Sequence, residues 1–290
     1  MITVFGATGT TGAPLVDTLL AKGATVRAVT SDPSKLDALK AKGCDAVAAD
    51  FTDPAALARA CDGAEKIYLV TPAHLDMRQW KANVIKAAKA AKAAKAAGVR
   101  HVVVATGLGA SPKAGLTFGK WHSETQELLK ESGLDWTFVQ PTYFMQNLLW
   151  QAGNIAKNGV YHDDLGGPVA WIDARDIADV AAEALTAPGY EGKALGLTGP
   201  EALTGDDIAA LLSEVTGRNV TCAPLSAEDT KASMIAGGMQ DEVAGAMVEL
   251  ASIAPKGYLA GIETTVSDVL GRPARRFADF VAQNRDAFVQ

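Results

Sequence analysis

The sequence predicts an α/β fold in which helices cover both faces of a parallel sheet. Short apolar runs typical of strands alternate with helical patterns over most of the 290 residues. The first apolar run, 2–5, leads directly into a glycine-rich turn and a helix at 14–21, which is the βα arrangement of dinucleotide-binding sheets. Together these observations predict a Rossmann-like, doubly wound parallel sheet with a smaller, mostly helical C-terminal lobe.

The predicted domains follow from where this alternation weakens, at about residue 143. We expect residues 1–142 to form an NAD(P)-binding Rossmann domain, with 170–199 returning to it. Residues 143–169 and 200–290 are expected to form a smaller substrate-binding lobe. Open α/β sheets bind ligands at the carboxyl ends of their strands, and the lobe is expected to cover that edge.

The elements are predicted from apolar runs and from residues that start or stop helices. Strands are predicted at 24–30, 46–49, 66–70, 101–105 and 136–139. Helices are predicted at 14–21, 33–42, 54–60, 83–97 and 123–132, and within 201–216 and 268–290. Asp53 is a predicted N-cap, and Gly98 and Gly133 are stop signals. In the less regular part, 161–167 is predicted to be a loop and 221–257 to be helical.

The composition excludes several classes of function. The chain is 48% hydrophobic and 21% charged, and its formal net charge of -6 argues against a general nucleic-acid-binding protein. Cys44, Cys61 and Cys222 are scattered and the 4 histidines lack metal-ligand spacing, so no metal is expected. Neither a membrane-spanning apolar stretch nor a signal-peptide pattern is found. We expect a cytoplasmic protein without a membrane partner, and a homodimer is compatible with the sequence.

The turn after the first strand has the pattern of a phosphate-binding loop. Gly6 permits a tight turn, Gly9 lets the backbone approach a pyrophosphate, and Gly12 lets the following helix pack close to the sheet. The N-terminus of that helix presents free N–H groups and the positive end of its dipole. Three threonines add hydroxyl donors: Thr8, Thr10 and Thr11. The position after a strand and before a helix favours cofactor binding over a glycine turn without a ligand.

The end of the second strand usually selects between the two nicotinamide cofactors. An acid there holds the ribose hydroxyls, whereas a nearby Arg holds a 2′-phosphate. The turn 30–35 has neither residue squarely at the strand end. Ser31, Ser34 and Lys35 could receive a phosphate, and Asp32 could hold a ribose or repel that phosphate. We expect NADP, with NAD as the alternative.

Further cofactor contacts are predicted where later strands end. Asp50 can accept from the adenine amine and Phe51 can stack on the ring, although Asp50 could equally be a turn acid. The fourth strand should end beside the nicotinamide ribose, and the fifth where catalytic hydroxyls are found in this architecture. The predicted residues in this part are Asp50, Phe51, Thr71, Pro72, Thr106, Gly107 and Pro141.

Taken together, the motifs of this chain resemble those of the NmrA-like family of atypical, extended short-chain dehydrogenases/reductases. The resemblance covers nearly the whole chain. It rests on GATGTTG at 6–12, DF at 50–51, AGVRHVV at 97–103, GLDWTFVQP at 133–141, YFMQN at 143–147, WIDARDIA at 171–178, LTGPEALT at 197–204 and GRP at 271–273. The set is specific, whereas each motif alone is not.

The resemblance implies an unusual catalytic site. Ordinary members of the superfamily use a Tyr-x-x-x-Lys pair, in which the tyrosine exchanges a proton with the substrate oxygen. Those positions fall on Phe118, which has no proton to give, and on His122, which could contact ribose or substrate. Tyr143 is a candidate to orient a substrate oxygen. Ser31 stands where the family usually has an Arg after the second strand.

The family includes quinone and triphenylmethane-dye reductases as well as NAD(P)-binding sensors without turnover. The sequence predicts an NAD(P)H-dependent oxidoreductase that passes hydride directly to a quinone-like or other electron-poor aromatic acceptor. The alternative is a non-catalytic redox sensor that binds a partner protein. An epimerase-like or lyase-like activity needs an acid and base pair that we do not find. The predicted walls of the acceptor pocket, each of which could equally be core, are Phe118, Trp121, Tyr143, Phe144 and Met145.

Overall fold

A computed structural model describes residues 1–94 and 98–289 of the chain. The chain forms two compact units. Unit 1 comprises Met1–Gly115, Gly119–Gln140 and Ile177–Leu195, and unit 2 comprises Leu116–Phe118, Pro141–Asp176 and Gly196–Gln290. Of the predicted return segment 170–199, unit 1 takes Ile177–Leu195, whereas the flanking residues lie in unit 2. That unit 2 binds the substrate remains a prediction.

The elements are as follows. The strands are β1 Ile2–Phe5, β2 Val26–Thr30, β3 Asp45–Ala48, β4 Lys66–Leu69, β5 His101–Ala105, β6 Asp135–Pro141, β7 Val160–Asp163, β8 Lys193–Leu197 and β9 Thr221–Pro224. The α-helices are α1 Gly12–Ala21, α2 Leu36–Ala41, α3 Pro54–Cys61, α4 Met77–Ala94, α5 Thr117–Glu131, α6 Ala152–Asn158, α7 Ala174–Thr186, α8 Gly205–Thr216, α9 Ala227–Ala236, α10 Asp241–Ala251, α11 Thr265–Leu270 and α12 Phe277–Gln283. Short 3-10 helices lie at Pro33–Lys35, Met145–Gln151, Ala254–Lys256 and Arg285–Phe288.

Seven strands form one sheet in the order β3-β2-β1-β4-β5-β6-β8. The pairs β1–β2, β1–β4, β2–β3, β4–β5 and β5–β6 are parallel. Successive strands are added on one side of β1 as far as β3 and then on the other side from β4. The order therefore reverses between β1 and β4, and doubly wound sheets bind ligands at such a switch point. The predicted doubly wound parallel sheet is confirmed.

The strands of unit 1 are apolar because both faces of the sheet are covered. All five residues of β5 are buried, and the core on one face includes Phe5, Ile67 and Phe138. The predicted cap of α3 is confirmed, since the Asp53 carboxylate accepts from the N–H groups of Ala55 and Ala56.

Two helices of the sheet begin earlier than predicted. The start of α4 was expected at Asn83 and lies at Met77, which is 3% exposed. The start of α5 was expected at Ser123 and lies at Thr117. The buried face of α4 includes Lys81, a charged residue that interrupts the apolar period on which the prediction depended. The predicted end of α4 at residues 95–97 lies outside the described residues.

Unit 2 contains a small sheet that the sequence did not predict. Strands β7 and β9 pair in parallel, with Val160 opposite Thr221. The predicted loop 161–167 was therefore wrong in its first residues, and 221–257 is helical only from α9 onward. Strands of four residues with partners about sixty positions away leave too short a pattern to detect. The core of unit 2 includes Met145 and Phe277.

A buried carboxylate in unit 2 connects two of the family motifs. Asp176, whose side chain is 0% exposed, lies 2.8 Å from Arg272 Nη2 and accepts from the Arg275 N–H at 2.7 Å and from the Arg275 guanidinium. We expect Asp176→Asn to lose about 2 kcal/mol of the free energy of unfolding, since hydrogen bonds to a buried charge are lost. Asp241→Asn, which breaks an exposed pair with Lys231, should lose less than about 1 kcal/mol. Equal losses in urea unfolding would contradict this difference.

The three cysteines form no disulfide. Cys44 and Cys61 are buried and Cys222 is half-buried. Burial raises the pKa of the Cys61 thiol to about 12. The pKa values of Cys44 and Cys222 are also raised, chiefly by burial.

The described residues contain neither a helix that could span a membrane nor a cluster that could hold a metal ion. Within them, no helix combines the length and the apolar character that crossing a bilayer requires. The same part of the chain contains no cluster of three or more His, Cys, Asp or Glu side chains that could hold a metal ion. The absence of a metal remains a prediction.

Candidate functional site

The glycine loop after β1 is as tight as the sequence predicts. Gly6 has φ +75°, and a Cβ there would lie 2.7 Å from Val70 Cγ1. A Cβ on Gly12 would lie 2.0 Å from the Gly6 carbonyl oxygen, far inside van der Waals contact. The Gly9 N–H donates to that same carbonyl at 3.0 Å. The turn therefore has no room for side chains at Gly6 and Gly12, and its backbone can approach a pyrophosphate closely.

The threonines of this loop differ in what they can contact. Thr10 is exposed and Thr8 is half-buried, so both hydroxyls are accessible to a ligand. Thr11 is 3% exposed, and its hydroxyl accepts from the Tyr68 hydroxyl at 3.0 Å. This bond stabilises the loop and leaves the O–H of Thr11 able to donate, so contact of Thr11 with a phosphate remains a prediction. No described side chain caps α1, which leaves its N-terminus open to an anion.

The turn after β2 contains both a carboxylate and a cation. Asp32 accepts from the Ser34 N–H at 3.0 Å and from the Ser34 hydroxyl at 2.6 Å, and these bonds hold the pKa of Asp32 below its usual value. Lys35 Nζ lies 4.0 Å from the same carboxylate. Ser31 and Lys35 are exposed and free to turn towards a 2′-phosphate. Ser34 occupies one oxygen of the Asp32 carboxylate, and the exposed Ser31 and Lys35 could contact the 2′-phosphate of NADP.

After β3, Asp50 has the turn role that the sequence left open. Its Oδ1 accepts from the Thr52 N–H at 2.7 Å and from the Thr52 hydroxyl at 2.6 Å, which lowers the pKa of Asp50. Phe51 stacks on Trp80, with ring centroids 5.6 Å apart and planes inclined by 16°. Trp80 stacks in turn on His74 at 4.4 Å. One face of Phe51 is therefore occupied, and contact of Asp50 or Phe51 with adenine remains a prediction.

The end of β4 contains an unsatisfied polar group. The Thr71 hydroxyl is buried and has no hydrogen-bond partner among the described residues. Pro72 beside it is exposed, and Pro141 at the end of β6 is buried. A buried hydroxyl without a partner is costly unless a ligand completes its bonding. Together with the tight glycine turn after β1, this hydroxyl fits a bound dinucleotide.

A buried lysine at the end of β5 was missed by the sequence analysis. Lys81 is 1% exposed, and its Nζ donates to the Ala105 carbonyl oxygen at 2.9 Å. Desolvation lowers the pKa of Lys81 to about 7. In the sequence it stands in a helix with lysines at regular intervals, so nothing distinguishes it from its exposed neighbours.

The neighbours of Lys81 are groups that the sequence did single out. Thr106 accepts from Gln126 Nε2 at 3.0 Å. A Cβ on Gly107 would lie 3.0 Å from His122 Cδ2, so the imidazole packs against a position that only glycine fits without displacement. Burial, and then the charge of Lys81, lower the pKa of His122 well below its usual value. His122 is therefore neutral at physiological pH. Its imidazole can donate one hydrogen bond and accept another, but it does not readily take up a proton.

Unit 2 contains a cavity of about 450 Å³, within the range typical of small-molecule sites. Five aromatic side chains, three methionines and a single carboxylate dominate its walls. The lining residues are Tyr143, Asn147, Leu148, Trp150, Gln151, Tyr161, Asp164, Trp171, Ile208, Ser233, Met234, Gly237, Met239, Met247 and Phe277.

Of the five side chains predicted to line an acceptor pocket, only Tyr143 lines this cavity. Met145 is 1% exposed and belongs to the core of unit 2, and Phe118 is 7% exposed. Phe144 is half-buried in a bridge with Ile172. Trp121 lies in unit 1 beneath the Arg78 guanidinium, 5.4 Å from the ring centroid. Whether these four line an acceptor site remains a prediction, since an aromatic or sulfur side chain next to a site has the same sequence pattern as one in the core.

Burial shifts the pKa values of the polar groups that line the cavity. Desolvation, and then the Asp164 charge, raise the pKa of Tyr143, and burial likewise raises that of Tyr161. Burial, and then the neighbouring Asp163, raise the pKa of Asp164. The Trp171 N–H has no hydrogen-bond partner among the described residues. The phenols therefore keep their protons at neutral pH and can donate hydrogen bonds, but they are weak acids.

Known proteins resemble this chain over both units. The model of the NmrA-like family matches residues 1–273. The NAD(P)H azoreductase of Xenophilus azovorans is 44% identical over 99% of this chain and 99% of that protein. Quinone oxidoreductase 2 of Escherichia coli strain K12 is 32% identical over 97% and 98% respectively. The crystal structure of an Escherichia coli NADPH-dependent quinone oxidoreductase in complex with NADPH matches with a TM-score of 0.85 at 31% identity, covering 98% of this chain and 99% of that one.

Proposed function

Since this chain belongs to the NmrA-like family and is an NAD(P)H-dependent oxidoreductase of the azo- and quinone-reductase type, we propose that it transfers hydride directly to an electron-poor aromatic acceptor. The observation that carries the proposal is the chemistry of the candidate proton donors. The family resemblance puts Phe118 where the superfamily has its tyrosine acid, and burial raises the pKa of Tyr143. A quinone or azo acceptor needs no prior protonation, because its own electron deficiency makes it reactive towards hydride.

The cofactor that fits the residues of unit 1 is NADP, as the NADPH-dependent relatives suggest. Gly6, Gly9 and Gly12 with the start of α1 would hold the pyrophosphate, and Ser31 and Lys35 the 2′-phosphate. The reduced nicotinamide supplies the hydride. The other residues proposed to hold the cofactor are Thr8, Thr10, Asp50, Phe51, Thr71, Pro72, Thr106, Gly107 and Pro141.

The buried groups at the end of β5 are proposed to position the nicotinamide ribose. Lys81 and His122 meet there, close enough for the charge of the lysine to lower the pKa of the imidazole. A neutral imidazole and a lysine that titrates near 7 can donate and accept hydrogen bonds from ribose hydroxyls. Neither is required to protonate the acceptor in this mechanism.

The cavity of unit 2 is proposed to bind and orient the acceptor. Its aromatic walls can stack on flat rings, and the Trp171 and Tyr143 donors can bind an acceptor oxygen or nitrogen. The walls exclude most water from the ring, so positioning supplies most of the rate enhancement. The proton that completes the reduction then comes from solvent.

Replacement of Tyr143 tests whether an acid is needed. We expect Tyr143→Phe to lower kcat with menadione by less than about tenfold, since loss of a true general acid costs roughly 100-fold to 10,000-fold. Tyr258→Phe, at an exposed tyrosine of unit 2, should leave kcat unchanged. A drop of 100-fold or more in Tyr143→Phe with unchanged NADPH affinity would identify Tyr143 as the acid and overturn the proposed mechanism.

A cofactor titration followed by an acceptor tests the function itself. The protein is titrated with NADPH and with NADH by calorimetry, and menadione is then added to the reduced complex while the absorbance of the nicotinamide is followed. Tighter binding of NADPH and rapid loss of absorbance are expected. A stable reduced cofactor across quinones and azo dyes would contradict hydride transfer and favour the alternative, a sensor that binds a partner protein.

A further inference from the structure

Two buried threonine hydroxyls of unit 1 lie where strands of the sheet end. Thr11 is the residue before α1, at the end of the glycine loop, and is 3% exposed. Thr106 follows β5 directly and is 6% exposed, and its N–H donates to the Val139 carbonyl oxygen at 2.9 Å. Both threonines therefore lie at the carboxyl edge of the parallel sheet, where doubly wound folds bind ligands.

A buried donor from a neighbouring element bonds to the oxygen of each hydroxyl. Tyr68 on β4 is fully buried, and its phenol O–H donates to Thr11 Oγ1 at 3.0 Å. Gln126 on α5 is 6% exposed, and its Nε2 donates to Thr106 Oγ1 at 3.0 Å. Burial raises the pKa of Tyr68 to about 12, so the phenol keeps the proton that it donates. In both bonds the threonine oxygen is the acceptor.

Each threonine hydroxyl still has its own proton to donate. A hydroxyl combines one O–H donor with two lone pairs, and a donor bonded to a lone pair directs the O–H elsewhere. No described residue accepts from the O–H of Thr11 or from that of Thr106. A buried donor without an acceptor costs free energy that a bound ligand recovers by accepting from it. Both hydroxyls are therefore set to donate to a ligand at this edge of the sheet.

We propose that Tyr68 and Gln126 are positioning residues, which orient the hydroxyls of Thr11 and Thr106 to donate to the two halves of the dinucleotide. Thr11 adjoins the start of α1, where a pyrophosphate oxygen would accept from it. Thr106 adjoins Ala105, whose carbonyl oxygen accepts from Lys81, and an oxygen of the nicotinamide riboside would accept there. The proposal rests on the proposed function only in taking NADP to be the ligand.

The Kd values of two ligands, measured by calorimetry with the full-length protein, test the role of Gln126. NADP⁺ has both halves of the dinucleotide, whereas adenosine 2′,5′-bisphosphate lacks the nicotinamide riboside. We expect Gln126→Met to weaken NADP⁺ binding by about three- to tenfold, the effect of one hydrogen bond, and to leave binding of the bisphosphate unchanged. Glu127→Met, the same replacement at an exposed position of α5, should change neither affinity.

A double variant separates positioning from a purely structural role. Thr106→Val removes the hydroxyl that Gln126 orients, so adding Gln126→Met to Thr106→Val should weaken NADP⁺ binding no further. A side chain that only supported the fold would give losses that add. Equal weakening of both ligands in Gln126→Met, additive losses in the double variant, or normal NADP⁺ affinity in a folded Gln126→Met variant would overturn the proposal.

Tyr68→Phe is expected to give a different pattern from Gln126→Met. Both ligands carry a phosphate that would occupy the glycine loop, so both should bind about three- to tenfold more weakly. Adding Tyr68→Phe to Thr11→Val should weaken neither ligand further, and Tyr190→Phe, at a half-buried tyrosine of the same unit, should have no effect. Normal affinity for both ligands in a folded Tyr68→Phe variant, or losses that add, would contradict the proposal.

Circular dichroism establishes that each variant is folded, and either series alone can refute the proposal. Reduction of menadione by NADPH distinguishes the two levels of inference. Turnover together with normal dinucleotide affinities in the variants leaves the proposed function standing and removes the positioning roles. The expected affinity pattern without reduction of any quinone or azo dye supports the positioning roles and overturns the proposed function.

Discussion

Replacing Gly12 by alanine is expected to weaken NADPH binding by about 100-fold or more, the equivalent of about 3 kcal/mol. The added Cβ would lie 2.0 Å from the Gly6 carbonyl oxygen and 2.7 Å from its carbonyl carbon. Both atoms belong to the backbone of the turn, so no side-chain rotation can relieve the contact. The start of α1 must move away from the end of β1, and the N–H groups that would face the pyrophosphate move with it.

The control for this prediction is Gly115→Ala in the same unit. A Cβ at Gly115 would meet nothing within 4 Å, and its backbone lies outside the left-handed region. Its NADPH affinity and midpoint of thermal unfolding should match those of the unmodified protein. NADPH affinity within threefold of normal in Gly12→Ala would show that the dinucleotide does not bind at this loop.

Replacing Lys81 by methionine is expected to change how stability depends on pH. Burial lowers the pKa of Lys81 from 10.5 to about 7, so between these values the unfolded chain binds a proton that the folded chain has released. The contribution of Lys81 to the free energy of unfolding is therefore lowest below about pH 7. It rises between about pH 7 and pH 10.5 and is fully recovered above pH 10.5. The difference in the free energy of unfolding between the unmodified protein and Lys81→Met should shift by about 3 to 4 kcal/mol from pH 7 to pH 10.

Urea unfolding at several pH values measures this difference directly. Cysteines and tyrosines that titrate in the same range are common to both proteins and cancel in the comparison. Lys89→Met, at an exposed lysine of the same helix, should give a curve parallel to that of the unmodified protein. Parallel curves for Lys81→Met would mean that the buried ammonium keeps its proton in the folded state.

The parts of the fold that could be predicted are those whose signal is local. β1, the glycine turn and α1 are contiguous, and the geometry at Gly6 and Gly12 bears out the need for glycine there. The Asp53 cap is likewise a local pattern. The family resemblance was predicted from motifs spread along the chain and is confirmed by the match over residues 1–273.

The parts that could not be predicted depend on distant contacts. The cavity of unit 2 is lined by residues spread between Tyr143 and Phe277, and no period relates them. Asp164 was read only as part of a loop, because a carboxylate beside glycines is typical of turns. The burial of Lys81 could not be predicted either, because lysine side chains are usually exposed.

The thiols of this chain affect how it can tolerate its acceptors. Quinones are electrophiles that arylate proteins by adding to thiolates, and the neutral thiol reacts far more slowly. With its pKa raised to about 12, the Cys61 thiol keeps its proton at pH 7. The pKa values of Cys44 and Cys222 are raised as well. We therefore expect the packing that buries these side chains to slow their reaction with quinones.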